Sequence, residues 1–315
     1  MKPFREISAS QLSSLSLPDE MKAWGYLLIR NVLPVEDVTR MVEEITRIVS
    51  ASGWLLPDRS PAERISDVRA ACGDPDPAFK RVYEQIFNLQ AFHAFAHHPA
   101  LRQVMHLLVG RDLLVHPKPI GRLIFPNCDR LVIHAHQDHR SLDGDAETFT
   151  AWMPLHDCPI EVGPLQIMEG SHVYGLQGVD PTTGIIAKET ARGGEWAGGP
   201  IYAGDVLIFH SLTVHAATPN TSTQLRISMD CRFQDARRSV NPANFVFPGS
   251  SNEKSWETIY AGWPSDELKY FWKRMPLLFE PSRETLAKLA ETEADPRLRA
   301  RYARIVDQLE AQGLS

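Results

Sequence analysis

The sequence predicts an α+β fold in which a strand-rich centre lies between two helical ends. Three observations predict it. Apolar residues recur at helical spacing from Leu33 to about Gly110, and short alternating stretches bounded by Pro, Gly, Asn and Asp follow from Asp112 to Phe233. A charged, alanine-rich tail then completes the chain. The parts divide at about 1–110, 111–235 and 236–315, and they are expected to form a single domain. No internal repeat and no linker rich in Gly, Pro or Ser separates them.

In the first part, Val38, Met41, Val42, Ile45, Ile48 and Val49 form one helical stripe, and Phe79, Val82, Tyr83 and Ile86 form another. Pro34 stands where a helix can begin, while Gly53 and Gly110 stand where helices can stop. In the second part the expected strands are Asp112–His116, Ile120–Phe125, Leu131–Gln137, Thr148–Leu155, Pro164–Met168, Asp205–His210 and Leu225–Phe233. So many short strands suggest a β sandwich or barrel. The third part reads as helix over Ser265–Met275 and again from Ser282 to about Gln312, interrupted near Pro296.

Composition narrows the function classes. The chain has 315 residues, 43% hydrophobic and 23% charged, which suits a globular protein with a sizeable core. Lys plus Arg number 33 against 39 Asp plus Glu, a net charge of −6, and no dense basic run invites a phosphate backbone. No nucleic-acid partner is expected. Apolar runs fall far short of the roughly 20 residues a membrane span requires. Cys72, Cys128, Cys158 and Cys231 show no CxxC spacing, and the N-terminus lacks the pattern of a secretory leader. A cytoplasmic protein with free thiols and no membrane association is expected.

The chemistry concentrates in the strand-rich part. His136-Gln137-Asp138 places two metal-capable side chains two residues apart, and on an extended strand positions i and i+2 share a face. A histidine from a distant strand would complete a two-histidine, one-carboxylate set that leaves coordination positions open for other ligands. His134, His172, His210 and His215 are all available, and the bland alternative is a solvated strand end. Downstream, Gly204-Asp205 opens the apolar run Val206–His210, then come His215, a Pro219-Asn220 turn, and the stretch Leu225-Arg226-Ile227-Ser228. This reads as strand, turn, strand, so the His215 imidazole and the Arg226 guanidinium can face one cavity.

Taken in order, these pieces resemble the phytanoyl-CoA dioxygenase family, a branch of the Fe(II)/2-oxoglutarate oxygenases. The resemblance lies in HQD at His136–Asp138, in Gly163-Pro164-Leu165 leading to Gly170-Ser171-His172, and in Gly204-Asp205 followed by Phe209-His210. It extends to a distal His with an Arg eleven residues later, matched by His215 and Arg226, and to an opening strand before a long helix, matched by Trp24–Leu33. The likeness covers roughly residues 20–235. The family's usual proline before GSH is replaced here by Glu169, which touches a loop and not the metal.

That resemblance implies a double-stranded β-helix, a cupin-like jelly roll decorated by helices. It implies Fe(II) bound by His136, Asp138 and His215, with 2-oxoglutarate and O2 as co-substrates. Arg226 would pair with the distal carboxylate of 2-oxoglutarate, since a guanidinium fork matches a carboxylate. Ser228, Trp152 and Thr150 would lie beside the co-substrate. Lys118 and Arg122 are further candidates for co-substrate or substrate. Halogenating relatives of this fold have a small residue in place of the carboxylate ligand, so Asp138 argues for hydroxylation of an unactivated C–H bond. Two other classes compete: a non-catalytic metal- or ligand-binding member of the fold, and a cupin-like metalloenzyme without 2-oxoglutarate. Arg226 speaks against the latter.

The expected substrate is a small molecule. His139, Arg140, Arg232, Arg237 and Arg238 would make a basic mouth suited to an anion or an acyl thioester, unless they are surface charges paired with Asp143, Asp145 or Asp235. Trp196, Trp256 and Trp263 would line a lid or, as is commoner for aromatics, belong to the core. Nothing in the sequence signals an oligomeric state.

Overall fold

The computed structural model describes residues 1–187, 189–249 and 254–314. Twelve strands occur among them: β1 (Glu6–Ser8), β2 (Tyr26–Arg30), β3 (Leu113–Val115), β4 (Ile120–Ile124), β5 (Thr148–Pro154), β6 (Leu165–Met168), β7 (Trp196–Ala197), β8 (Val206–His210), β9 (His215–Ala217), β10 (Arg226–Asp235), β11 (Ser239–Val240) and β12 (Leu278–Phe279). The larger sheet runs β1-β2-β8-β5-β10, with β3 and β4 pairing successive halves of the far edge of β10. A smaller sheet, β7-β6-β9, faces it. Except for β1 beside β2, every pairing in these two sheets is antiparallel. This is the jelly-roll core.

Strand alternation sorts the larger sheet into two faces. Ile227, Met229, Cys231 and Phe233 of β10, Ala151 and Met153 of β5, and Val206 and Ile208 of β8 all join the core cluster beneath the helices. The opposite residues, among them Trp152, Leu207 and Phe209, point between the sheets and meet Leu165, Ile167 and Ala217 of the smaller one. Each fully buried aliphatic or aromatic side chain here contributes about 1.5–3 kcal/mol.

The helices that cover the outer face are those their spacing predicts. The helix Val35–Ala51 buries Val38, Met41, Val42, Ile45 and Val49, and Pro77–Phe87 buries Phe79, Val82 and Ile86. The C-terminal pair, Arg283–Thr292 and Pro296–Ala311, breaks where Asp295 caps the second helix ahead of Pro296. Among the described residues no helix is long and apolar enough to cross a membrane.

Two expected elements differ. Residues 131–137 form no continuous strand: a 3-10 turn spans Asp129–Leu131, and the following chain touches β9 through an isolated bridge at His136. Residues 265–275 are not an α-helix. Tyr270 takes a left-handed conformation (φ +51°), and only a short 3-10 turn, Phe271–Arg274, follows. Tertiary packing overrides the local pattern there, because Trp272 is fully buried against Trp256 (ring centroids 5.0 Å apart) and Phe245 (6.4 Å). The N-terminal part also contributes strand as well as helix, since β2 pairs with β8 inside the larger sheet.

Candidate active site

His136 and His215 are far apart in sequence and are Cα partners in space. The His136 amide donates to the His215 carbonyl at 3.0 Å, and the His215 amide returns a bond to His136 at 3.1 Å. A closely paired antiparallel position puts both side chains on one face, and the rings lie 4.2 Å apart. Their tautomers follow from their partners. Nδ1 of His136 lies 2.7 Å from the His134 carbonyl and Nδ1 of His215 lies 3.0 Å from that of Thr213. A carbonyl only accepts, so each Nδ1 carries the proton and each Nε2 presents a lone pair.

Both Nε2 atoms face Asp138, whose Oδ1 lies 3.6 Å from His136 and 3.8 Å from His215. One ligand atom from each of the three residues lies within 4.8 Å of the others, which is the geometry of a metal site. Asp138 reaches the site from the start of the short helix His139–Leu142, with helical φ and ψ, and not from a strand. Its other oxygen, Oδ2, is held by the Thr150 hydroxyl at 2.6 Å and by Nη2 of Arg232 at 3.2 Å. Burial pushes this carboxyl up, but neighbouring positive charge, Arg232 foremost, outweighs burial and holds it well below the usual carboxylate range. Burial, reinforced by His136, lowers His215 to about 4, so its imidazole is neutral at pH 7.

Between His136 and Asp138, Gln137 points the other way. Its amide donates to the carbonyls of Gly175 (2.9 Å) and Leu212 (2.6 Å) and accepts from the Gln177 amide (2.8 Å), which fastens the loops beside both ligand segments. Ser171 of the GSH segment accepts from the Val214 amide at 2.8 Å, fixing the residue before His215. Glu169, where the family has proline, is buried. It accepts from the Tyr26 hydroxyl at 3.0 Å and pairs with Lys2, so this loop is tied to the N-terminus by side chains.

Arg226 begins the inward-facing row of β10 and is fully buried. Nη1 donates to the Gly163 carbonyl, whereas Nε and Nη2 have no hydrogen-bond partner among the described residues. The GPL glycine makes this contact possible. Gly163 has φ +86°, and a Cβ there would come within 2.7 Å of the Thr218 carbonyl oxygen. Two residues on, the Ser228 hydroxyl accepts from Nε1 of Trp152 at 3.1 Å, and both residues are buried. A guanidinium stripped of water with two orphaned nitrogens costs several kcal/mol unless an anion joins it. The donor set therefore fits a carboxylate.

Thr150 is thus placed against Asp138. Arg122 donates to Asp230 at 2.8 Å, and Lys118 lines the adjoining cavity. Of the basic residues expected at a mouth, Arg232 is buried on the inner face, while Arg237 pairs with Asp235 and Asp112, and Arg238 with Asp145, on the surface. Counting by twos from Arg226 along β10 would have found Arg232, the contact that the sequence reading left open. His210 lies against Glu147 at 3.3 Å, His172 against the Lys22 carbonyl at 3.1 Å, and His134 is exposed, so none joins the three-residue cluster. Trp256 and Trp263 are buried, bonded to the carbonyls of Phe245 and Asn88, and Trp196 is half-buried on β7.

The chain as a whole is similar to known proteins. The family model for phytanoyl-CoA dioxygenase matches residues 21–228. A 1-deoxypentalenic acid 11-beta-hydroxylase of Streptomyces exfoliatus is 27% identical, over 56% of this chain and 73% of its own. The Streptomyces arenae protein of the same name is 24% identical, over 67% of this chain and 78% of its own. Among solved structures, the non-heme α-ketoglutarate-dependent carbocyclase SnoK from nogalamycin biosynthesis superposes with a TM-score of 0.54 at 21% identity, covering 79% of this chain and 92% of that one. The epimerase SnoN, in complex with Fe3+, α-ketoglutarate and nogalamycin RO, gives 0.53 at 22%, covering 76% and 91%. At such identities these two establish the fold. The chain belongs to the phytanoyl-CoA dioxygenase family, as an oxygenase that uses iron, 2-oxoglutarate and O2.

Proposed function

We propose that the protein hydroxylates an unactivated C–H bond of a small molecule, with Fe(II) held by His136, Asp138 and His215 and the distal carboxylate of 2-oxoglutarate held by Arg226. The observation that carries this reading is the pairing of an intact carboxylate ligand with a buried guanidinium that has two free donors. When bound, iron and 2-oxoglutarate supply O2 activation coupled to decarboxylation of the co-substrate to succinate and CO2.

This chain's residues do the positioning. The backbone carbonyls of His134 and Thr213 keep the two Nε2 lone pairs aimed at the metal. Thr150 and Arg232 engage one oxygen of Asp138 and leave the other for the metal. Ser228, held by Trp152, stands beside Arg226 to support the same carboxylate. The named hydroxylases among the relatives favour hydroxylation over the outcomes named for the epimerase and the carbocyclase, and the acid in their name favours an anionic substrate.

The test is anaerobic. Fe(II) and 2-oxoglutarate added together should give the visible charge-transfer band of the chelate. His215→Ala should abolish it, and Arg226→Ala should demand far more 2-oxoglutarate to reach it. A wild type without the band would overturn the reading.

A further inference from the structure

A cavity of about 630 Å³, within the range that encloses a small molecule, adjoins the metal cluster through Arg232, although His136, Asp138 and His215 do not themselves line it. Arg232, the residue that holds Asp138, forms part of its wall, together with Ser141 and Leu142 just beyond the ligand motif. Its apolar lining includes Phe79, Tyr83 and Phe87, which stack along one helix with ring centroids 5.6 and 6.1 Å apart, and Ile124, Ile133 and Ile259.

The charges in this cavity are unequal. Arg122 is paired with Asp230, Arg232 with Asp138, Arg130 with Asp76, and Lys254 with Glu84. Lys80 also lines the cavity, has no ion pair among the described residues, and is exposed to solvent. Lys118 differs from the paired cations in lacking a carboxylate and from Lys80 in being largely withdrawn from solvent. Its ammonium has the Ala243 carbonyl at 3.4 Å, and among the described residues no carboxylate lies within ion-pair distance. Burial, with Arg232 and Arg301 nearby, lowers it to about 8. Lys118 is only partly accessible, and the surface it shows opens into the cavity.

We infer that Lys118 is the anchor for the carboxylate of the substrate, and that the substrate is a free carboxylic acid with a compact apolar body. The inference rests on the oxygenase reading above and names the substrate class for that site. The acid group would sit at Lys118 while the apolar body spans toward Arg232 and the metal, so that oxidation falls on a carbon remote from the carboxyl. A coenzyme A thioester fits poorly. Its acyl carbonyl carries no charge to meet the ammonium, and apart from the exposed Lys80 its phosphates would find the remaining cavity cations already paired.

The experiment is calorimetry on the anaerobic protein, with and without Fe(II) and 2-oxoglutarate. The probes are octanoate and adamantane-1-carboxylate, their methyl esters, and octanoyl coenzyme A. Wild type should bind at least one acid about tenfold or more tightly than its ester. Lys118→Met should bring that acid down to the level of its ester, with ester affinity and the chelate band unchanged, and Lys118→Arg should keep the preference. The inference is overturned if neither acid outbinds its ester, if Lys118→Met retains the preference, or if octanoyl coenzyme A binds more tightly than octanoate. A missing chelate band alongside an intact acid preference would overturn the oxygenase reading and leave the Lys118 anchor standing.

Discussion

The two faces of β10 carry opposite burdens. Outward lie Ile227, Met229, Cys231 and Phe233, packed beneath the helices; inward lie Arg226, Ser228, Asp230 and Arg232, equally buried and all polar. Period-two alternation lets one ten-residue strand do both. The outer face stabilises the fold by removing apolar surface from water, while the inner face holds charge where charge is costly. Stability and function should therefore separate by parity along this strand.

The largest expected effect lies on the outer face. Phe233→Ala should cost about 3–5 kcal/mol of folding stability, read as a lower urea midpoint, yet the folded fraction should form the chelate normally. On the inner face the pattern should invert. Arg226→Ala should weaken 2-oxoglutarate binding by about 3 kcal/mol, roughly a hundredfold, in anaerobic titration of the chelate band. Without co-substrate it should cost less stability than Phe233→Ala, because removing the unpartnered Nε and Nη2 offsets the lost bond to the Gly163 carbonyl. An Arg226→Ala protein as destabilised as Phe233→Ala would make Arg226 a structural residue and break the parity rule.

The same alternation explains what was legible in the sequence. The strands around Ile120, Thr148, Val206 and Arg226 were readable because their apolar residues alternate or run continuously between turn residues. The helical stripes at Val38–Val49 and Phe79–Ile86 were readable for the same kind of reason. HQD could be recognised, but the reason its ligands converge could not: His136 is pinned by its bridge to His215, and Asp138 turns into a helix. Those are tertiary facts. Arg232 was visible as a residue and not as a contact of Asp138, since parity gives a face and not a partner. At Tyr270 the helical spacing misled, because the burial of Trp272 decides that segment.

A smaller effect tests how the inner face aims its carboxylate. Thr150→Val keeps shape and removes the donor that lies 2.6 Å from Oδ2 of Asp138, while the Arg232 contact stays. Fe(II) affinity, followed through the chelate band at saturating 2-oxoglutarate, should fall about tenfold, at the low end of what loss of a ligand's hydrogen-bond partner costs. Unchanged affinity would mean that Arg232 alone orients Asp138, and the threonine would drop out of the site.

The smallest effect concerns Lys118. Lys118 faces Arg232 and Arg301, whose guanidiniums oppose its charge, and His116, which burial lowers to about 4 and which is therefore neutral near pH 8. In this range Lys118 is thus the group among these that changes charge. Below about pH 8 the free protein holds the ammonium, and affinity for a carboxylic acid should be flat. As pH rises through that value the proton must be taken up again on binding. The dissociation constant should then climb by up to about tenfold per pH unit, until the pH reaches the value to which the bound carboxylate raises the lysine. Lys118→Met should bind the acid weakly at every pH, and Lys118→Arg tightly at every pH. A wild-type affinity that is flat to pH 10, or a slope that survives in Lys118→Met, would assign the titration to another group and leave Lys118 without a role in binding the acid.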